Sequence, residues 1–357
     1  MTYLTLPKKV ISLAFQMLFL FVSFQGLFAQ AELVADINEG SEDAGVYCNF
    51  SFTYNQNCVV RLSEKLLFYA ENPTHGRELY VLENGTAELL VDLNDDPSSS
   101  NPFFLTVFND LAYFLANDNT GYKIWQTDGT TAGTQVAFDL GVDDASAADY
   151  TVFLVNNDEL FFVFDGTVYI YDGLVLNEVD YEGEISVHAT SVFNSFAWCT
   201  YKEGIAIMNY NGSSWDMLYI HGNTVENLFN FETDDSFKGP YAMQGFTGGI
   251  NFSFEASFDP DVAGRYVYLE DSGTWTKQAD FGVSRNYSYN SQICLAYNSN
   301  AFLLYDEDNP TGTEVLTGSI SLSQGQNWNR ITAGQYVAFL SSEGTFKDDI
   351  ISLLNTV

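Results

Sequence analysis

The sequence predicts an all-β fold made of repeated four-stranded units, and three observations lead to this prediction. First, a pattern of an apolar strand, an Asx-Gly turn and a second apolar strand recurs along the chain. Second, the turn glycines Gly85, Gly129, Gly173 and Gly212 are 44, 44 and 39 residues apart. Third, the apolar runs are rich in aromatic residues, as strands buried on both faces are. A strand-based period in the forties is typical of a β-propeller.

The second repeat shows the strand pattern most clearly. The Asn109-Asp110 and Asp128-Gly129 pairs supply its hairpin turns, because both central residues of a type I′ turn need positive φ. Its predicted strands are 103–108, 111–115, 122–126 and 135–140. Trp125 in this repeat and Trp198 further along fall on strands, and we expect both to be packing residues.

The fourth strand of each repeat has its own recurring sequence pattern. Leu-Leu-Val-Asp-Leu-Asn at 89–94 matches segments 136–141 and 33–38, the last of these near the start of the mature chain. Weaker copies lie at 176–181, 217–222, 277–282 and 315–320, which gives seven fourth strands.

The first of these fourth strands, 33–38, lacks the three strands that should precede it. The C-terminus supplies three at 329–333, 336–341 and 348–355. The N-terminal strand is therefore predicted to pair with the C-terminal blade and close a seven-bladed propeller, with Ile37 packed against the neighbouring blade, since closure removes an exposed sheet edge. Six blades is the alternative, if the weak copies near 223–282 are misread.

The first thirty residues predict a secretory signal peptide. Lys8 and Lys9 precede an almost wholly apolar stretch, and Ala29-Gln30-Ala31 offers small residues for cleavage. No second long apolar run follows, so residues 31–357 are predicted to form one soluble propeller domain that does not span a membrane. The absence of a cysteine at the cleavage point argues against a lipid anchor.

The mature chain is strongly acidic. Removing residues 1–30 leaves 11 basic residues (13 − 2) against 47 acidic ones, a net charge near −36. Such a field repels nucleic acid and anionic lipid, and no basic stripe offsets it. We therefore expect no nucleic-acid partner. The scattered acids indicate a solvated surface, or loops that bind cations or a basic partner.

The four cysteines suggest a disulfide in an exported protein. Cys48 and Cys58 flank part of an insertion, 41–58, that interrupts the first blade, and we predict a bridge between them. Cys199 and Cys294 fall on strands of non-adjacent blades and are predicted to be small buried hydrophobes.

At this point the repeat resembles the family with consensus E-L-W-x-x-D-G-T-x-x-G-T, found in exported proteins of Bacteroidota. Residues 123–134 fit best, with Trp125, Asp128-Gly129-Thr130 and Gly133-Thr134 in place. Glu78-Leu79 fits the opening of the motif, whereas 309–313 retains only its tail. The resemblance covers about half of the chain and implies a propeller without a known chemistry. Members sorted to the cell surface often end in a separate sorting domain. Because this chain stops after its last predicted strand, we expect a periplasmic or outer-membrane-associated protein rather than an extracellular one.

No catalytic constellation stands out in the sequence. His75, His188 and His221 have no second histidine or cysteine at metal-ligand spacing, and there is no nucleophile elbow or phosphate loop. Paired carboxylates occur by chance in so acidic a chain. We predict that the protein is not an enzyme and has no cofactor, with a hydrolase as the alternative.

Several loops and aromatic residues are candidates for binding. Asp306 and Asp308, and the loops at 117–119 and 259–261, are oxygen-rich and could hold calcium, although Asp and Asn also favour turns for their own hydrogen bonds. Turn-side aromatics could stack on a sugar or a partner, and the apolar insertion could form a contact surface. The candidate partner-surface residues are Tyr47, Phe50, Phe52, Tyr54, Trp215, Trp275 and Trp328.

These observations favour an exported, non-enzymatic interaction protein of the bacterial envelope. A periplasmic partner of the outer-membrane protein-export machinery, such as type IX secretion, would suit a closed disc with no anchor of its own. The alternative is a propeller that binds or cleaves carbohydrate with the acids and tryptophans of one face.

Overall fold

The computed structural model describes an all-β protein. The described residues belong to the compact unit Ile37–Val357, and they are 37, 59–94, 97–141, 152–181, 185, 198–232, 240–254, 263–279, 285–290, 293–298, 301–305, 313–317, 330–333, 336–343 and 346–353. They form twenty-seven strands and no helix. No helix capable of crossing a bilayer occurs in these ranges.

The strands form antiparallel sheets in sequence order, six of four strands and one of three. The first three sheets, sheets 1 to 3, are β1 (Val59–Leu62), β2 (Lys65–Asn72), β3 (Gly76–Glu83) and β4 (Thr86–Val91); β5 (Phe103–Phe108), β6 (Leu111–Asn117), β7 (Tyr122–Thr127) and β8 (Gln135–Phe138); and β9 (Val152–Asn156), β10 (Glu159–Phe164), β11 (Thr167–Tyr171) and β12 (Leu176–Glu178).

The remaining four sheets, sheets 4 to 7, follow the same order along the chain. They are β13 (Trp198–Tyr201), β14 (Gly204–Tyr210), β15 (Trp215–His221) and β16 (Thr224–Phe231); β17 (Pro240–Phe246), β18 (Gly249–Phe254), β19 (Gly264–Leu269) and β20 (Thr274–Ala279); β21 (Arg285–Asn290), β22 (Ile293–Asn298), β23 (Ala301–Tyr305) and β24 (Thr313–Thr317); and β25 (Arg330–Ala333), β26 (Tyr336–Glu343) and β27 (Phe346–Leu353).

The strands predicted for the second repeat match sheet 2, with the second, third and fourth strands one to two residues different at their ends. Asn109 and Asp110, which link β5 to β6, have φ of 49° and 59°, as a type I′ turn requires. The three predicted C-terminal strands are also present, as the three-stranded sheet 7.

The strand assignment in sheet 4 was wrong by one strand. Met217 was placed on a fourth strand, but it lies on the third strand, β15, and β16 is the fourth. Asn211-Gly212 forms the loop between the second and third strands instead, because the Asn211 side chain accepts hydrogen bonds from the backbone N–H groups of Ser213 and Ser214. An Asn-Gly pair marks a turn but does not say which hairpin it closes.

The core consists of apolar side chains packed between consecutive sheets. One cluster joins sheets 2, 3 and 4, and a second joins sheets 4 and 5. The second strands of sheets 1 to 5 are among the most buried: in β10, every residue from Leu160 to Phe164 is buried. The predicted burial of Trp198 and Cys199 is confirmed, and Trp125 packs against the cluster between sheets 1 and 2. The side chain of Cys294 lies outside the described residues.

The first strands of consecutive sheets contact one another, in the series β1, β5, β9, β13, β17 and β21. Where β17 meets β13, a Cβ on Gly245 would lie 2.1 Å from the carbonyl oxygen of Thr200, so only glycine permits this approach. Successive sheets that pack face to face with their first strands together form a propeller-like arrangement.

The predicted closing strand, 33–38, lies outside the described residues except for Ile37. Ile37 is half-buried and packs against Phe68, Ala70 and Tyr80 of sheet 1. Its predicted contact with a blade is therefore present, while its pairing with sheet 7 and the blade number of seven stay predictions.

Candidate interaction surface

The D-G-T-x-x-G-T motif at 128–134 builds a turn between β7 and β8 that is held by its own hydrogen bonds. The Asp128 carboxylate accepts from the backbone N–H of Thr130 at 2.9 Å and from its hydroxyl at 2.6 Å. Gly133 N–H donates to the Thr130 hydroxyl, and the Thr134 hydroxyl donates to the Thr130 carbonyl. A Cβ on Gly133 would lie 2.1 Å from the Asp128 carboxylate. Each residue of the motif thus has a structural role within the turn.

The motif turn also holds neighbouring sheets together. Lys65, beside the turn that links the first two strands of sheet 1, donates from Nζ to the Gly129 carbonyl at 2.7 Å. The Thr131 hydroxyl donates to the Leu90 carbonyl of β4 at 2.7 Å. The motif therefore connects sheet 2 to sheet 1.

The same kind of contact recurs between later sheets. Gly173, between β11 and β12, lies against the side-chain amide of Asn109 in the preceding sheet. Lys202, between β13 and β14, pairs with Glu270 between β19 and β20, with Nζ and Oε1 2.5 Å apart. The first-to-second and third-to-fourth strand turns thus lie at one common end of the sheets, which we call the turn face. The opposite end, with the second-to-third strand loops, is the loop face.

Exposed large apolar side chains of the described residues are concentrated on the turn face. Seven are at least about a third exposed, and six of them lie in a turn-face turn or within two residues of one. These six are Leu66, Val136, Val155, Leu174, Val175 and Trp275. Val59, at the loop-face end of β1, is the exception. Single exposed apolar residues are ordinary, and the six on one face make the turn face the candidate contact surface.

A tyrosine cluster lies on the turn face between sheets 4 and 5. The Lys202 ammonium lies 5.3 Å from the ring centre of Tyr201 and 5.7 Å from that of Tyr219, in addition to its pairing with Glu270. Burial, followed by the nearby Glu270 charge, raises the pKa of Tyr201. Within the part of the chain that the structure describes, the Tyr201 hydroxyl has no hydrogen-bond partner.

The most perturbed carboxyl group lies at the loop face of sheet 1. Glu78 is fully buried, and burial raises its pKa to about 7. It accepts hydrogen bonds from Ser100 N–H at 2.7 Å, from the Ser100 hydroxyl and from Leu93 N–H at 3.3 Å. Beside it, His75 Nδ1 and Asp92 Oδ2 are 2.7 Å apart.

This carboxyl group cannot touch a substrate, because none of Glu78 is exposed. Its hydrogen bonds instead fix the connection that leads from β4 to β5. At the corresponding motif position of sheet 2, Lys123 donates to Asp118 at 2.6 Å and lies 4.0 Å from Asp139 after β8. In both sheets, the side chain at the opening position of the motif, Glu78 or Lys123, therefore holds nearby connecting segments at the loop-face end of its sheet.

The structure corrects one predicted surface residue. Trp215 is fully buried between sheets 4 and 5, where its ring lies 5.2 Å from Tyr210 and 6.2 Å from Phe254. It is enclosed because β15 is a third strand, whose alternate side chains face sheet 5. Trp275 is 37% exposed, and the rest of its ring packs against Phe231 at 4.9 Å.

The other predicted site residues lie outside the described residues. They are Tyr47, Phe50, Phe52, Tyr54, Trp328, the predicted disulfide of Cys48 and Cys58, and the calcium candidates Asp306 and Asp308. In the described loop at 117–119, the Asp118 carboxylate is paired with Lys123, and this pairing lowers its pKa against the opposing effect of burial. No cluster of three or more metal-ligating side chains occurs among the residues that the structure describes.

Comparison with known proteins gives distant likenesses only. No family model and no curated protein matches the chain. Among solved structures, the extracellular domain of a protein described as a one component system of B. thetaiotaomicron is 12% identical over 84% of this chain, with a TM-score of 0.45. One of two prolyl endopeptidases is 11% identical over 84%, with a TM-score of 0.48. An acylaminoacyl peptidase of Pyrococcus horikoshii is 12% identical over 85%, with a TM-score of 0.45. The chain spans 38%, 48% and 52% of these proteins. Likenesses of this size carry no argument about activity or partners.

Proposed function

We propose that this chain is an exported, non-enzymatic scaffold protein of the bacterial envelope that docks onto a protein partner through its turn face. The observation that carries the proposal is the concentration of exposed apolar side chains there, six of the seven in the described residues. Burying such side chains against a partner is the usual driving force of protein association.

The described titratable groups support a binding role more than a catalytic one. Glu78, the carboxyl group with a pKa near 7, is enclosed and tied to the backbone. The described histidines each face a carboxylate on the same sheet, with His75 beside Asp92 and His221 beside Glu226. These contacts have structural roles within the sheets. A hydrolase is therefore the less supported alternative.

The place of action rests on the sequence. The N-terminal thirty residues have the charge and apolar pattern of a secretory signal peptide. We propose a periplasmic or outer-membrane-associated location, with the outer-membrane protein-export machinery, such as type IX secretion, as one such partner.

The carbohydrate alternative is weakened by the tryptophans. Stacking on a sugar requires an open ring face. Trp215 is enclosed in the core, and Trp275 already packs on Phe231 and Tyr266.

Zero-length carbodiimide crosslinking in intact cells tests the proposal, because it joins carboxylates of this acidic chain to amines of a partner. We expect crosslinks to one protein that concentrate at exposed turn-face carboxylates such as Glu64, Asp110 and Glu203. Exposed Asp165 and Glu232 at the loop face serve as the internal control. Recovery of only uncrosslinked monomer would refute the proposed docking. Hydrolysis or binding in a polysaccharide screen would favour the carbohydrate alternative.

A further inference from the structure

One turn-face turn departs from its repeat in a way that the fold does not require. In sheet 2 the turn reads Asp128-Gly129-Thr130-Thr131, and in sheet 3 it reads Asp172-Gly173-Leu174-Val175. Both aspartates accept a hydrogen bond from the backbone N–H two residues later, at 2.9 Å in sheet 2 and 2.7 Å in sheet 3. Because both turns share this backbone hydrogen bond, a threonine at position 174 would be enough to form the turn, and the fold does not require leucine there.

The two apolar side chains of this turn are open to solvent. Leu174 is 90% exposed and Val175 is 52% exposed, the highest values among the exposed large apolar residues of the described chain. The corresponding turns of sheets 1, 4 and 5 carry Asn84-Gly85, Gly222-Asn223 and Asp271-Ser272. Leu174 and Val175 are therefore placed where the other described turns keep small or polar residues.

The turn is held firmly despite its exposure. Asp172 Oδ1 accepts from both Leu174 N–H and Val175 N–H at 2.7 Å. The Tyr171 hydroxyl donates to the Gly173 carbonyl at 2.9 Å, and Gly173 lies against Asn109 of the preceding sheet. A partner would meet a prearranged backbone turn, so little backbone conformational entropy is lost on binding.

The surroundings of the pair are acidic. Asp158 and Glu159 lie at the turn between β9 and β10. Because Leu160 pairs with Tyr171 across the sheet, the preceding residue Glu159 lies opposite Asp172. Burial and the Asp172 charge raise the pKa of Glu159, whereas backbone hydrogen bonds lower that of Asp172. None of these three carboxylates forms a salt bridge with a described residue.

We propose that Leu174 and Val175 are the anchor of the turn face, inserted into an apolar pocket with a lysine- or arginine-rich rim on a protein partner. This inference rests on the proposed function and adds the residues and the chemistry of the partner. Complementary charge favours a basic rim. A second copy of this chain is a poor occupant, because its 47 acidic residues far outnumber its 13 basic ones.

The experiment places the photoreactive residue p-benzoylphenylalanine at position 175 of the full-length chain in its native cells, with positions 66 and 212 for comparison. Position 66 is another turn-face apolar site, and 212 lies at the loop face. The variant Leu174→Thr introduces the residue of the sheet 2 turn, and Val59→Thr, at the exposed apolar residue of the loop face, is its matched control. Far-UV circular dichroism and the melting temperature verify that both variants fold.

We expect a protein adduct at position 175 that falls about tenfold with Leu174→Thr, as for a hot-spot residue, and changes less than twofold with Val59→Thr. The double variant Asp158→Asn with Glu159→Gln should also lower the adduct yield and weaken its dependence on salt.

Other results overturn the inference. An adduct at 175 that is unaffected by Leu174→Thr, or that consists of lipid or a second copy of this chain, refutes the anchor. A yield unaffected by the double carboxylate variant refutes the basic rim. Adducts at position 66 without any at 175 refute this inference but leave the proposed function in place. No protein adduct at either turn-face position refutes both.

Discussion

Replacing Glu78 with glutamine should remove a pH dependence of stability that the native protein carries. Glu78 is fully buried, and burial raises its pKa from the ordinary 4.5 to about 7, against the lowering effect of its bonds from Ser100 and Leu93. The folded state therefore holds this proton more tightly than the unfolded chain does. The resulting stabilisation is complete below pH 4.5 and is lost as the pH rises through 7.

The size of the effect follows from the difference between the two pKa values. At about 1.4 kcal/mol per pKa unit, the loss between pH 4.5 and 8 is on the order of 3 kcal/mol. Glutamine is neutral like the protonated acid: its carbonyl can accept from Ser100 N–H and its amide can donate to the Ser100 hydroxyl, while the long bond from Leu93 N–H is lost. The variant should thus lie within about 1 kcal/mol of the native protein near pH 5, and its free energy of unfolding should gain about 3 kcal/mol on that of the native protein between pH 5 and 8.

Urea denaturation at a series of pH values measures this difference. Glu88→Gln, at an exposed position on β4, is the matched control. A Glu78→Gln variant whose difference from the native protein does not change with pH, or that is less stable at pH 8, would refute this reasoning.

Four further outcomes are expected. In urea denaturation, Ile37→Asp should lower the free energy of unfolding by about 2 kcal/mol or more, because it places a charge against Phe68 and Tyr80. Ile37→Val should lower it by only about 1 kcal/mol. Equal losses for the two variants would show that this contact is unimportant. Gly133→Ala should lower the melting temperature and cost about 1–3 kcal/mol, since its Cβ would displace the Asp128 carboxylate; an unchanged melt would contradict the role given to the motif. Tyr201→Phe should leave stability unchanged or raise it by about 1 kcal/mol, because the lost hydroxyl has no partner among the described residues; a clear loss would mean that it has one. Cys199 should resist iodoacetamide until the protein unfolds, since burial raises the pKa of its thiol; rapid labelling of the native protein would refute this.

Much of the strand pattern could be predicted from the sequence. Strong turn pairs such as Asn109-Asp110 fixed the register of sheet 2, because few residues adopt the backbone of a type I′ turn. The same kind of signal misplaced sheet 4, where Asn211-Gly212 closes a different hairpin. A turn signal is local, whereas the position of a strand within its sheet depends on the neighbours that pair with it.

The candidate surface was less predictable. Trp215 and Trp275 both lie beside turns in the sequence, yet one is enclosed and the other is partly open. Their difference comes from the strand on which each lies, the inner third strand β15 for Trp215 and the outer fourth strand β20 for Trp275, and this requires the correct strand assignment. The sequence does show that Leu174 replaces the threonine found at Thr130 in the preceding repeat. Only the structure shows that the two turns have the same backbone geometry and that Leu174 is therefore exposed. The burial of Glu78 could not be predicted, because the connection that covers it follows no repeat pattern.

The central claim is that the turn face is the docking surface, and hydrogen–deuterium exchange tests it most directly. The measurement compares the free chain with the chain held in a complex purified from native envelopes. The account predicts that peptides covering turns 127–134 and 172–175 exchange at least about tenfold more slowly in the complex, while loop-face peptides covering 72–76 and 211–214 do not change. Protection confined to the loop face, or no protection at either face, would contradict it.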